Sequence, residues 1–259
     1  MVLNSIFGEL APPPERPPEA PQERAVFIGK DGTLLENEPY NVDPAKLRFT
    51  PNALEGLALL QRHGWRLIVA TNQPGLAYGM FSRGELAQLQ HALFARCAAE
   101  GVQLTDFYAC PHAPPPEIVG AAGCLCRKPA PGLLRQAAIA HRIDLERSWM
   151  VGDLLDDVEA GRRAGCRAVL LDVGHETVWR LSPLRTPHAR AADLLEAARH
   201  IVASDGESDT RPITLPEPVA TDETASGTAA ARPGGAMRRA WAFARPSLRS
   251  PGQRGATIP

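Results

Sequence analysis

Apolar positions along the chain fall into short blocks with two alternating spacings. Ala25 to Ile28, Arg66 to Ala70, Asp106 to Ala109, Ser148 to Val151 and Arg167 to Leu171 are compact runs of four or five residues, the length of buried strands rather than helices. Between them the spacing becomes helical. Leu54, Leu57, Leu59 and Leu60 mark a helix from Pro51 to about His63-Gly64, and Leu86, Leu89, Leu93 and Phe94 mark another, opened by a Ser82/Glu85 capping box and running to about Glu100. Further helices are predicted over Pro131–His141, Asp156–Ala164 and Ala191–Val202. Strands alternating with helices at this spacing imply βαβ crossovers, hence an α/β fold with a parallel sheet covered on both faces. The stretch from Leu34 to Phe49 has no sustained period and reads as an extended flap after the first strand.

The same pattern sets boundaries. The ordered domain is expected over residues 22–202, large enough for its own core. Residues 1–21 include the Pro/Glu-rich stretch Pro12 to Pro21, and residues 203–259 lose hydrophobic periodicity, so both ends are expected to be disordered. The tail splits by charge. Asp205 to Glu223 holds six acids against Arg211 alone, whereas Thr224 to Pro259 holds six arginines and no acid. Its basic end, with Trp241 and Phe243, could touch an anionic partner; an idle solvated tail is the plainer expectation. The net charge of −1 gives no reason to expect nucleic acid or membrane as a general partner. No apolar run approaches a membrane span, and the amino terminus lacks a signal-peptide pattern, so a cytoplasmic location is expected.

Chemistry collects where strands end. In a parallel sheet the carboxyl ends lie side by side and form the usual site of α/β proteins. Here they carry Gly29-Lys30-Asp31-Gly32-Thr33, Thr71-Asn72-Gln73, Arg127-Lys128, and Asp153 with Asp156 and Asp157. Asp-Gly is also a common turn dipeptide, and Thr-Asn a common turn. Together, however, carboxylates beside a cation pair and a hydroxyl suit a phosphate with Mg²⁺.

The five cysteines, in a chain without an export pattern, do not suggest disulfides. Cys110-Pro-His112 and Cys124-Leu-Cys126 instead make two tight pairs of soft or borderline ligands suited to tetrahedral Zn²⁺. A complete Cys₃His set leaves no open coordination position, so that metal would be structural. Cys97 and Cys166 fall on apolar positions and read as core residues.

These markers resemble the haloacid dehalogenase (HAD) superfamily, and within it the D-glycero-D-manno-heptose 1,7-bisphosphate phosphatase and histidinol-phosphatase-like group. The likeness covers about residues 24–200 and rests on Lys30-Asp31-Gly32-Thr33-Leu34, Tyr40, Thr71-Asn72-Gln73, Gly75-Leu76-Ala77, the Cys/His pairs, Arg127-Lys128-Pro129, Pro131-Gly132 and Met150-Val151-Gly152-Asp153. The resemblance implies a HAD-like, Rossmann-type three-layer α/β/α sandwich with a short flap and a zinc loop. It implies a monomeric phosphatase acting on a small sugar phosphate, heptose 1,7-bisphosphate ahead of histidinol phosphate. In that family the first aspartate of an Asp-x-Asp pair attacks phosphorus, and the second, aligned with Asp31, is general acid and then base. The ion is held by the first aspartate, by the backbone carbonyl at Asp31 and by the acid aligned with Asp153. Thr71 and Lys128 align with phosphoryl clamps, Arg127 with a substrate contact and Asp157 with a supporting acid. Asn37, Tyr40, Asn72 and Gln73 align with sugar-phosphate contacts.

Four positions depart from the pattern, and one of them is decisive. The nucleophile's place is held by Gly29, which has no side chain to attack phosphorus or ligate Mg²⁺. Leu154 stands where the group usually has lysine, and Pro74 and Tyr78 where serine and arginine are expected. The sequence therefore carries an impaired sugar-bisphosphate phosphatase with a weakened Mg²⁺ site or, alternatively, a catalytically silent relative that binds a phosphorylated sugar or a partner protein. A zinc-stabilised scaffold served by its charged tail is the remaining reading.

Overall fold

In the computed structural model, residues 22–114 and 123–205 are described. The expectations of disorder for 1–21 and for the tail from residue 206 lie outside them.

Among the described residues, six parallel strands form a single sheet: β1 (Ala25–Ile28), β2 (Arg66–Asn72), β3 (Asp106–Cys110), β4 (Trp149–Gly152), β5 (Arg167–Leu171) and β6 (Ala189–Ala191), in the order β3-β2-β1-β4-β5-β6. The helices are α1 (Ala53–Arg62), α2 (Arg83–Ala99), α3 (Gly132–His141), α4 (Leu155–Ala164) and α5 (Leu194–Asp205). This is the α/β, Rossmann-type three-layer arrangement, and the chain reverses direction across the sheet between β1 and β4. No described helix is long and apolar enough to cross a membrane.

Alternation along each strand sorts its side chains between two cores. Val26, Ile28, Leu67, Val69, Trp149, Val151, Val169 and Leu171 face α1, α2 and α5, while Ala25, Phe27, Ile68, Ala70, Met150, Ala168 and Leu170 face α3 and α4. Because both faces are covered, the strands read as continuous apolar runs rather than alternating ones. Cys97 and Cys166 are buried, one in each core.

The helices start where local chemistry allows. Ser82 accepts from the Glu85 amide at 3.2 Å, and Glu85 accepts in return from the Ser82 amide at 2.7 Å, which satisfies two free donors of the first turn of α2. Gly56 lets α1 lie against α5, since a Cβ there would sit 2.7 Å from the Leu194 carbonyl oxygen.

The expected helix over Ala191–Val202 begins three residues late. Ala189–Ala191 pairs with β5 as a sixth strand, and the Asp172 amide donates to the Ala191 carbonyl at 2.9 Å. Asp193 then accepts from the Glu196 amide at 2.8 Å at the start of α5, which runs on to Asp205, past the expected domain end. The flap crosses back over β1's carboxyl end through bridges Asp31–Leu35 and Leu35–Phe49, and Leu34, Leu35 and Leu47 are buried beneath it.

Candidate active site and metal centre

The register sets Ile28 beside both Val69 and Val151, so β1 and β4 end within one residue of each other while β2 runs on to Asn72. Gly29 leaves β1 with its amide donating to the Val151 carbonyl at 2.9 Å. Gly32 makes the turn at φ 74°, a conformation that favours glycine, and its amide donates to the Leu35 carbonyl at 2.8 Å. Strand ends far apart in sequence are thereby brought into hydrogen-bonded contact.

Three acids anchor the site, and each is held by neighbours. Lys30 Nζ donates to Asp31 Oδ1 at 2.5 Å, and Gln73 Nε2 donates to Asp31 Oδ2 at 3.1 Å. The Thr33 hydroxyl donates to Asp153 Oδ1 at 2.9 Å, and His175 Nδ1 lies 2.8 Å from Asp153 Oδ2. Lys128 is ion-paired with Asp157 Oδ1, and the Leu154 amide donates to Asp157 Oδ2 at 3.3 Å. Asp31 is partly open, whereas Asp153, Asp157, Lys30 and Lys128 are buried. Burial pushes the Asp157 carboxyl above its usual range; the facing Lys128 pulls it down, and Asp153 adds to the rise.

The second and third strand ends join this group through backbone ties. Asn72 exchanges two 3.0 Å hydrogen bonds with the backbone of Lys128, and Lys128 Nζ also donates to the Ala70 carbonyl at 2.8 Å. The buried Thr71 hydroxyl accepts from Gln73 Nε2 at 2.9 Å. Asp31, Thr71, Asn72, Gln73, Lys128, Asp153 and Asp157 therefore belong to one linked set. Arg127 lies at its margin, with its guanidinium donating to the His112 carbonyl at 3.2 Å. Asn37 and Tyr40 are exposed on the flap, and the Tyr40 ring stands edge-on to Tyr78 with centroids 6.4 Å apart. Asp156 turns away: it accepts from Arg185 at 2.9 Å and ties α4 to the chain before β6.

Sequence reasoning passes over His175. It lies four residues past the end of β5, so the strand-end rule that picks out Asp153 would find it if the loop after the fifth strand were read the same way. Its neighbour Glu176 accepts from the Leu155 amide at 2.9 Å, at the first turn of α4.

Gly29 is buried. A Cβ built on it would meet Thr33 Oγ1 at 2.8 Å, Thr33 Cβ at 3.2 Å and the Gly152 Cα at 3.7 Å. The Thr33 side chain thus leans into the volume a nucleophilic side chain would leave by. Gly152 is fixed by the same crowding, because a Cβ there would lie 2.2 Å from that of Asp157.

The residues present do not make a good Mg²⁺ site. Magnesium is held through oxygen, usually by one or two carboxylates with room for water and phosphate. Position 29 offers no carboxylate, and both oxygens of Asp153 are already bonded, to Thr33 and to His175.

The second metal candidate fits. Cys110, His112, Cys124 and Cys126 place one ligand atom each within 4.8 Å of the others. Sulfur–sulfur separations are 3.3–3.5 Å, and His112 Nδ1 lies 3.6 Å from Cys110 Sγ and 3.3 Å from Cys126 Sγ. Zn–S bonds of about 2.3 Å in a tetrahedron put sulfurs roughly 3.8 Å apart, so loading needs only a small outward movement. Burial pushes the Cys110 thiol up to about 12, so a bound cation would have to displace its proton.

The chain is similar to several known proteins. The family model described as "HAD-hyrolase-like" matches residues 125–197. Over 173 residues the chain is 34% identical to a D-glycero-beta-D-manno-heptose-1,7-bisphosphate 7-phosphatase of Photorhabdus laumondii, covering 66% of this chain and 88% of that protein. A D-glycero-alpha-D-manno-heptose-1,7-bisphosphate 7-phosphatase of the same organism is 33% identical over 158 residues, covering 60% and 85%. Among solved structures, the D,D-heptose 1,7-bisphosphate phosphatase from B. bronchiseptica, complexed with magnesium and phosphate, superposes with a TM-score of 0.59 at 27% identity, covering 70% of this chain and 99% of that one.

Proposed function

Because this chain belongs to the D-glycero-D-manno-heptose-1,7-bisphosphate 7-phosphatase family of HAD-like hydrolases, we propose that it binds a sugar phosphate at its strand ends but has lost the covalent step. The single observation that carries this reading is Gly29. It stands at the carboxyl end of β1, where the family resemblance calls for the attacking aspartate, and the Thr33 hydroxyl lies within 2.8 Å of the missing Cβ.

The binding groups remain. Thr71 and Lys128 clamp the phosphoryl oxygens, Arg127, Asn72 and Gln73 contact the sugar phosphate, and Asn37 and Tyr40 reach it from the flap. Asp31, held by Lys30 and Gln73, has the general acid/base position, and Asp157 supports Lys128. With no carboxylate at position 29, no aspartyl phosphate forms. Any hydrolysis proceeds by direct attack of water, with Asp31 taking its proton. Removing a covalent nucleophile costs other enzymes on the order of 10⁶ in turnover.

In this reading Zn²⁺ is held by Cys110, His112, Cys124 and Cys126 and is structural, pinning the segment that delivers Arg127 and Lys128. The acting unit is the domain expected over residues 22–202, a cytoplasmic monomer. The two curated relatives differ in anomer, and heptose 1,7-bisphosphate is the substrate class they favour.

The test is phosphate release from heptose 1,7-bisphosphate with Mg²⁺ present, the parent chain beside Gly29→Asp. The parent is expected at background, while its calorimetric binding of the sugar phosphate persists. Parent turnover at an ordinary enzymatic rate, about 1–10³ s⁻¹, would sink the reading.

A further inference from the structure

We propose that the phosphate site of this protein works without a divalent ion, and that His175 occupies the carboxylate oxygen of Asp153 that an ion would need. The inference rests on the reading that the strand ends bind phosphate, and it adds what replaces the metal there.

The acids of this site are met largely by the protein's own donors. Asp31, Asp153 and Asp157 have two oxygens each: Lys30 and Gln73 donate to Asp31, Thr33 and His175 to Asp153 and the Leu154 amide to Asp157 Oδ2, while the buried Asp157 Oδ1 has the Lys128 ion pair and no well-formed hydrogen bond. A divalent ion is useful in such a site when carboxylates outnumber the protein's own donors and the surplus negative charge would otherwise repel a phosphate. Here the surplus is smaller, because position 29 contributes no acid, and the three remaining carboxylates face two lysines and the neutral donors Thr33, Gln73 and the Leu154 amide, with His175 on Asp153.

His175 is the decisive member. Thr33, Lys30 and Gln73 belong to the loops of β1 and β2, whereas His175 comes from the loop after β5 and packs against the turn at Gly32. A Cβ on Gly32 would lie 2.6 Å from its Nδ1 and 2.2 Å from Asp153 Oδ2. The imidazole therefore closes the side of Asp153 that Thr33 leaves open. To bind there, Mg²⁺ would have to displace this bond and shed part of its tightly held water, with one carboxylate to recover the cost. Lys30 and Lys128, both buried, are the cations at the same strand ends; each is paired with an acid and keeps further ammonium donor capacity for a phosphate.

The proposal is tested on the zinc-loaded full chain, with inorganic phosphate as probe, titrated calorimetrically in magnesium-free buffer and again with excess Mg²⁺. No chelator is used, since one would strip the cysteine site. The parent should bind phosphate equally in both buffers, within about twofold. His175→Ala should bind more weakly without Mg²⁺ and recover with it, by a factor in the range of about 5–150 that is typical of coupled ligands. His175→Gln, which keeps a donor, should behave as the parent. Mn²⁺ titrated against each protein should show a saturable site in His175→Ala and none in the parent.

Parent binding that is lost without Mg²⁺ overturns the proposal and leaves the phosphate site standing. A saturable Mn²⁺ site in the parent also overturns it, and neither result depends on any variant folding. If the parent binds phosphate in neither buffer, or Lys128→Ala binds it undiminished, the underlying reading of the site fails and this inference fails with it.

Discussion

Restoring the missing acid by Gly29→Asp should make this protein less stable until Mg²⁺ is added. The new Cβ would start 2.8 Å from Thr33 Oγ1 and 3.2 Å from Thr33 Cβ, so the threonine must give way by several tenths of an ångström and loosen its 2.9 Å bond to Asp153. Overpacking a filled core costs about 1–3 kcal/mol, and a carboxylate newly buried near Asp153 puts the sum toward the upper end, at about 2–3 kcal/mol. For a domain of this size each kcal/mol moves Tm by roughly 2–4 °C, so scanning calorimetry without Mg²⁺ should show a fall of roughly 4–12 °C. The variant now has two carboxylates facing one ion. At a Mg²⁺ concentration of about 100 Kd, binding restores about 2.7 kcal/mol, enough to cancel most of the loss. The parent should show no comparable rise. If the parent's Tm climbs with Mg²⁺ as steeply as the variant's, Asp153 already holds the ion despite His175, and the accounting of its oxygens is wrong. If the variant matches the parent in stability without Mg²⁺, Thr33 has not closed the space at position 29.

Three other outcomes are expected. Lys128→Met and Asp157→Asn should each destabilise by about 3–5 kcal/mol in urea unfolding, because each leaves a buried partner unmatched, while the double variant should cost clearly less than their sum. The His188 imidazole is held down to about 4, first by burial and then by Arg162 and Arg167, with Arg162 Nη1 2.7 Å from its Nε2. Below about pH 6.5 the unfolded chain takes up a proton there that the folded chain refuses, so stability is full above that pH and falls as pH drops toward 4. The ring is partly exposed, which limits the loss to about 1 kcal/mol, and His188→Gln should flatten the Tm–pH slope over that window. For the proposed zinc site, a chelator should release zinc, lower Tm and weaken phosphate binding together, because Arg127 and Lys128 directly follow Cys126; phosphate affinity unchanged after full zinc release would separate the two sites.

Most of this arrangement is legible in the sequence for a physical reason. Strands buried on both faces must be continuously apolar, so β1, β2, β4 and β5 stand out as runs, and the loop after each run must lie on one edge of the sheet. Asp31, Thr71 and Asp153 come out of that rule directly. The sixth strand does not, because Ala189-Arg190-Ala191 has no strand-forming side chains and is extended only through pairing with β5. Residue pattern alone does not tell Asp156 from Asp157, and only the family resemblance singles out Asp157: in the fold one turns outward to Arg185 and the other inward to Lys128. His175 escapes notice because its loop has no period, and its partner Asp153 lies 22 residues back.

The glycine at position 29 and the histidine on Asp153 are coupled through one piece of geometry. β1 and β4 are neighbours at the point where the strand order reverses, so position 29 and Asp153 serve the same few ångströms of space. By the family resemblance, an acid at 29 would do two jobs there, attacking phosphorus and sharing the ion with Asp153. Its loss to glycine removes both at once, and Asp153 is left with an oxygen that burial makes costly to leave without a partner. Thr33 and His175 supply the partners, from either side. On the proposed reading, a site with no acid at position 29 has less to gain from a metal, and His175 gives the second oxygen of Asp153 a partner from the protein itself.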